Sequence, residues 1–226
     1  MAQQQLALVH LVREPAARTP GPPPLLLLLH GIGSYEGDLM ALAPYLDARF
    51  FVVGARAPIV MGPDAYGWYR TDFSAARRVI DPAEPVRSRA ILLRFVEELI
   101  GAYGLDARGV YLMGFSQGAI MTLGIALMRP DWLAGAVVMS GRPLPELVAP
   151  AAKPASLTGF PILVVHGTED PVLPVENGRQ IREMLRTLPV ELTYREYPIG
   201  HQVAAESLRD VALWLTARLD ERARTI

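Results

Sequence analysis

The chain has 226 residues, 51% of them hydrophobic and 20% charged, with a formal net charge of -1. That composition supplies a full apolar core and excludes a disordered chain, and the absence of any dense Lys/Arg block gives no footprint for nucleic acid or an anionic membrane surface. There is no cysteine, so disulfides, a thiolate nucleophile and Cys-ligated metals are excluded.

The length suits one α/β domain over residues 1–226. Lys153 is the one lysine among 22 basic residues, which reads as genomic or thermal bias, not as function. Residues 1–10 show no basic segment followed by a long apolar run, and the run of leucines at 25–29 is too short to span a bilayer. The expectation is a cytoplasmic protein without stable membrane insertion.

Residues 6–12 are apolar and β-prone at their end and read as an outer strand. Residues 15–24 hold five prolines and read as a loop. Leu25 to Leu29 reads as a strand buried on both faces, as parallel strands are. His30-Gly31-Ile32-Gly33 is a glycine-rich turn, followed by a helix over 37–46 and a strand over 50–54. Residues 55–84 lack periodicity, and so long a connection in a compact domain is usually functional. Residues 85–103 form a helix with Leu92, Val96, Leu99 and Tyr103 on one face, and Gly104 is placed to cap it. A strand over 110–113, a helix to about residue 129, and a strand over 135–140 follow. Residues 141–161 read as a loop, 162–166 as a strand, 176–188 as an amphipathic helix, 191–197 as an edge strand and 203–219 as the last helix. Strands alternating with helices predict a mostly parallel central sheet with helices on both faces.

In such sheets the site lies at the carboxyl ends of the strands. Gly114-Phe115-Ser116-Gln117-Gly118 is G-x-S-x-G between a strand and a helix, the pattern of a nucleophile elbow. Its glycines are expected to let the chain turn sharply without Cβ clashes, leaving the serine hydroxyl exposed at the end of the strand. A serine hydroxyl needs a base to take its proton. His10 lies in the outer strand, and His30 and His166 each end a buried strand, positions suited to bracing loops. His201, in the loop before the last helix, is the favoured base. The acid comes from Gly167-Thr168-Glu169-Asp170-Pro171, where Asp170 is favoured over Glu169. The order Ser116, Asp170, His201 is that of α/β-hydrolases. Backbone N–H groups of Gln117 and Ile32 are the candidates for an oxyanion hole. The Gly31–Gly33 turn lacks the G-x-G-x-x-G spacing of a dinucleotide loop.

These motifs together resemble the phospholipase/carboxylesterase family, which includes acyl-protein thioesterases and small bacterial carboxylesterases. The resemblance runs from Leu25 to the last helix, and Ser34-Tyr35-Glu36-Gly37-Asp38-Leu39 is closer to the bacterial esterase branch. It implies an α/β-hydrolase fold without a large cap, a Ser116–Asp170–His201 triad, and Ile32 and Gln117 lining the oxyanion hole. Trp68-Tyr69 looks like the aromatic pair that the family places beside the acyl pocket. Residues 55–84 around this pair match the family least.

The expected activity is hydrolysis of a small-molecule carboxylic ester with a small to medium acyl chain, through an acyl-enzyme, with no metal or organic cofactor. A thioesterase, a lysophospholipase or a cofactor-free perhydrolase would use the same triad. A dienelactone hydrolase is disfavoured because it requires a cysteine nucleophile, and a non-catalytic hydrolase-fold binder commonly lacks a triad member. A homodimer is left open.

Overall fold

The computed structural model describes residues 6–17, 20–71, 79–149 and 151–225. In chain order its elements are β1 (His10–Arg13), β2 (Leu25–Leu29), β3 (Phe51–Ala55), β4 (Ile59–Gly62), β5 (Ala65–Gly67) and α1 (Ala83–Tyr103), then β6 (Val110–Phe115), α2 (Gln117–Met128) and β7 (Gly135–Met139). They are followed by α3 (Pro145–Val148), β8 (Pro161–Gly167), α4 (Glu176–Arg186), β9 (Glu191–Tyr197) and α5 (Ala205–Thr225). Seven strands form the main sheet in the order β1-β3-β2-β6-β7-β8-β9. β1 runs antiparallel to β3, and the other pairings are parallel.

The five leucines of β2 show why this run is a central strand and not a helix. All are buried, and they alternate: Leu25, Leu27 and Leu29 enter one core, Leu26 and Leu28 the other. A period of two serves both faces of a sheet at once. On the first face lie α1, through Leu92, Phe95, Val96 and Leu99, together with α2 and α4. On the second lie Leu39 and Ala43 of a 3-10 turn and Leu208, Val211 and Leu215 of α5. Each fully buried aliphatic side chain contributes about 1.5–3 kcal/mol relative to exposure.

Several expected boundaries move for physical reasons. The expected outer strand starts later, at His10, where pairing with β3 begins. The expected helix over 37–46 is a 3-10 helix at Leu39–Tyr45, with Pro44 inside it. Proline removes an N–H and clashes with the preceding turn, so an α-helix does not propagate there. Phe95 takes the core place expected for Tyr103, which is 39% exposed. Gly104 adopts the left-handed cap at φ 62, as its position implied. Residues 141–161, expected to be loop, contain α3 and a 3-10 turn at Pro154–Leu157.

The stretch 55–84 is structured on either side of residues 72–78, which lie outside the described residues. It contains the β4–β5 hairpin, pinned to the turn after β2 by hydrogen bonds from Gly33 N to Tyr66 O (2.8 Å) and Tyr66 N to Ser34 O (2.8 Å). The hairpin thereby brings Gly67, Trp68 and Tyr69 over the carboxyl end of β6. Among the described residues no helix is long and apolar enough to cross a membrane.

Candidate active site

β6 lies in the middle of the sheet, and the chain leaves it at Ser116 to enter α2 directly. Ser116 has φ 52 and ψ -115, a conformation that L-residues rarely adopt. Its N–H bonds to Met139 O at 2.9 Å and its C=O accepts from Ile120 N at 3.1 Å, so β7 and α2 hold the turn from both sides. The flanking glycines avoid Cβ clashes, as the sequence implied, while the strained backbone is carried by the serine. The left-handed residue is Ser116, and the glycines permit close approach: a Cβ on Gly118 would sit 1.9 Å from Leu29 O, and one on Gly114 would sit 2.3 Å from Gly118 O. The turn is sharp because α2 can press its first residues against β2.

His201, in the loop between β9 and α5, meets this serine. Its Nε2 lies 2.9 Å from Ser116 Oγ, and its Nδ1 lies 2.7 Å from Asp170 Oδ2. The carboxylate can only accept, so Nδ1 carries the proton and Nε2 is free to accept from the serine hydroxyl. The Phe115 ring packs on the imidazole, 4.8 Å between centroids. Asp170 is held in turn: its Oδ1 accepts from Val172 N (2.9 Å) and Leu173 N (2.8 Å). Burial pushes the Asp170 carboxyl up, but the hydrogen bond from His201 and those two N–H groups outweigh it and hold the group below the usual range. Glu169 is exposed, and its N–H bonds to Ile199 O at 3.1 Å, tying the acid loop to the loop that carries His201.

The remaining histidines brace the frame. His30 is buried; its Nδ1 donates to Gly31 O (2.7 Å) and its Nε2 accepts from Ala57 N (3.0 Å). Burial is the main reason its pKa falls, which keeps it neutral. His166 is fully buried and donates through Nε2 to Leu173 O at 2.7 Å, fixing the far end of the acid loop. His10 bonds the Tyr103 hydroxyl at 2.8 Å.

A small cavity of about 40 Å³ opens beside Ser116, walled by Ile32, Tyr69, Gln117, Ile120, Val172 and Leu173. The turn carrying Ile32 abuts the candidate serine: a Cβ on Gly31 would lie 3.4 Å from Ser116 Cβ. The structure therefore brings Ile32, Tyr69 and Gln117 together with Ser116, Asp170 and His201. It does not bring Trp68 to the cavity. Trp68 is 0% exposed, and its indole Nε1 donates to His30 O at 2.9 Å. The expectation that Trp68 walls the acyl pocket is corrected: its polar edge finds a partner inside, so the ring is a buried strut and Tyr69 alone of the pair faces the cavity.

Sequence reasoning also missed the side chain of Gln117. Its Oε1 accepts from Trp68 N (2.6 Å) and its Nε2 donates to Tyr69 O (2.7 Å). The amide thus clamps the segment after β5 down onto the elbow. Ser88 Oγ donates to Trp68 O from α1, completing the hold. A buried amide needs both donor and acceptor satisfied, and the one sequence signal was a glutamine in an otherwise apolar helix start. Among the described residues no three His, Asp or Glu side chains stand together as metal ligands.

A mostly parallel sheet with a serine at a strained strand-to-helix turn defines an α/β-hydrolase fold. The chain belongs to the phospholipase/carboxylesterase family, whose model matches residues 16–219. It is similar to acyl-protein thioesterase 1 of Neurospora crassa, 30% identical over 165 residues that cover 70% of this chain and 67% of that one. It is also similar to NocK of Nocardia uniformis subsp. tsuyamanensis, provisionally named an esterase, 32% identical over 153 residues; the match covers 68% of this chain and less than half, 42%, of NocK. Among solved structures, esterase PE8 superposes with a TM-score of 0.78 at 28% identity, covering 93% of this chain and 98% of that one.

Proposed function

We propose that this chain is a serine hydrolase that cleaves carboxylic esters of small to medium acyl chains. The observation that carries the reading is the unbroken hydrogen-bond chain from Ser116 through His201 to Asp170. In the first step Ser116 Oγ attacks the acyl carbon while His201 Nε2 takes its proton. Asp170 holds the tautomer and offsets the charge of the imidazolium. The oxyanion is received by the N–H groups of Ile32 and Gln117, and the N-terminal end of α2 adds a favourable dipole. His201 then passes its proton to the leaving alcohol, and water activated by the same imidazole releases the acid.

The cavity supports the chain-length part of the reading. About 40 Å³ holds a few water-sized groups, since one needs ≳ 10–15 Å³ by this measure. A thioesterase with the same triad is the second reading, favoured by the relatives that carry the name acyl-protein thioesterase.

A fluorophosphonate probe tests the nucleophile: folded protein is labelled at Ser116, and Ser116→Ala is not. The same variant loses at least about 10³-fold in kcat/KM, as removal of a triad serine does. Full turnover by Ser116→Ala overturns the mechanism. Across a series from acetate to palmitate esters, activity peaks at the short end, and a steady rise to palmitate overturns the chain-length assignment. Oxygen and thio esters of one acyl group, compared side by side, separate the two readings.

A further inference from the structure

Among the described residues, one charged side chain lines the otherwise largely apolar cavity beside Ser116, and the mechanism above does not use it. Arg142 is half-buried and lines this cavity together with Ile32, Tyr69, Ile120, Val172 and Leu173. Among the described residues no carboxylate pairs with it. Its hydrogen bond runs from Nη1 to the carbonyl of its neighbour Pro143, at 3.3 Å. Other arginines of the chain are placed differently: Arg49 grips Asp47, Arg56 grips Glu36, and Arg179 grips Glu196, each through two nitrogens.

The backbone that delivers Arg142 is fixed from two sides. Ser140, the residue after β7, is left-handed at φ 49 although it is not glycine. Its N–H bonds to Val165 O of β8 at 2.8 Å. Gly141 packs on α2 so closely that a Cβ there would come within 3.0 Å of Ala119 Cβ. The strained, well-held bend at the end of β7 thus turns the chain toward the cavity that Ser116 opens into. Backbone strain of this kind clusters at ligand sites.

We propose that Arg142 selects esters that carry a carboxylate near the reacting carbonyl. The inference rests on the esterase reading and names the substrate class of that site. A guanidinium presents a planar fork that matches a carboxylate through two parallel hydrogen bonds, and it stays charged across the working pH range. In a partly desolvated wall such a contact is stronger than in water. The cavity's small size sets the carboxylate a few atoms from the carbonyl, as in a half-ester of a short dicarboxylic acid or a short acyl ester of a hydroxy acid. The shared chemistry is the carboxylate; the two cases differ in which side of the scissile bond bears it.

The test compares three substrates on wild type, Arg142→Gln and Arg142→Lys. Ethyl butyrate is the neutral reference. Ethyl hydrogen succinate bears the carboxylate on the acyl side, and carboxymethyl butyrate bears it on the alcohol side. The readout is the ratio of kcat/KM for each anionic ester to that for ethyl butyrate, which does not depend on the fraction of active protein. Arg142→Gln lowers this ratio about tenfold for one of the two anionic esters, as expected for loss of a charge-assisted hydrogen bond, and that ester identifies the side. Arg142→Lys keeps most of the ratio, and added salt lowers it in the wild type. A ratio unchanged by Arg142→Gln for both anionic esters overturns the inference while leaving the esterase reading intact, because Ser116-dependent cleavage persists. Wild type that cleaves none of the three esters overturns the esterase reading and this inference with it.

Discussion

At the scale of single residues, the site depends on side chains that hold other parts of it in place. Gln117 contributes its backbone N–H to the proposed oxyanion hole, while its amide holds Trp68 and Tyr69 in place. Gln117→Ala keeps the N–H and removes both clamps. Leaving the buried Trp68 N–H without the Gln117 acceptor costs about 1–3 kcal/mol, so the variant melts several degrees lower. Its acyl-chain profile also broadens, because Tyr69 is no longer pinned at the cavity. A calorimetric scan and the ester series check both, and an unchanged Tm would show that the clamp carries no stability. The hydrogen-bonded set of Ser116, His201 and Asp170 was legible in the sequence because its residue types are few and its loops fall at strand ends. There were four histidines to sort, and three of them end or enter strands. Trp68 was misread for the converse reason. Its burial is decided by His30 and Gln117, 38 and 49 residues away, and no local pattern carries that information. Arg142 was overlooked because a lone arginine after a strand looks like any solvated loop residue until the cavity is drawn around it.

At the scale of elements, the elbow is a packing device. α2 is buried along its whole length, from Gln117 to Leu127, and it can lie so near β2 only because residue 118 has no side chain. Gly118→Ala forces a methyl into the Leu29 carbonyl at 1.9 Å. Because the clash is with backbone, rotamer change cannot relieve it, and the cost falls at or above the usual range of about 1–3 kcal/mol for overpacking. The variant should lose soluble yield or melt markedly lower, and normal stability would show that α2 is free to slide. The long elements were readable because their apolar residues keep one period over many positions, as in α1 and α5. The β4–β5 hairpin was not. Its strands have four and three residues, too few to show alternation, and its position is fixed by the turn at Gly33 and Ser34. The 3-10 turn over Leu39–Tyr45 was legible as a buried apolar stripe but not in pitch, since Leu39 and Ala43 satisfy either helix type.

At the scale of the whole molecule, ion pairs bind the outer layers to the frame. Asp47, just after the 3-10 turn, bonds Arg49 through both carboxylate oxygens and accepts from Thr216 of α5 at 3.0 Å. Arg49 also reaches Asp220 of α5 at 2.7 Å. The Arg49 hydrogen bonds are the main reason the Asp47 carboxyl is lowered to about 2. A depressed folded-state value means that protonation favours unfolding. The stabilisation is therefore complete above the ordinary carboxylate range, near pH 4, and is lost as pH falls through about 2. Asp47→Asn lowers stability at neutral pH by about 1.5–3 kcal/mol, the scale of a hydrogen bond to a charged group. The gap to wild type closes on acidification, and melting curves between pH 7 and pH 2 check the sign; a gap that widened would refute it. The sheet itself divides the molecule into two apolar layers, with Ser116 rooted through α2 in one and His201 suspended from the loop that leads into α5 of the other. The 2.9 Å contact between serine and imidazole is thus a stitch across the seam between those layers. Turnover consequently works as a gauge of whether both layers are seated, and a partial slip of α5 would silence the enzyme while most of its secondary structure still stood.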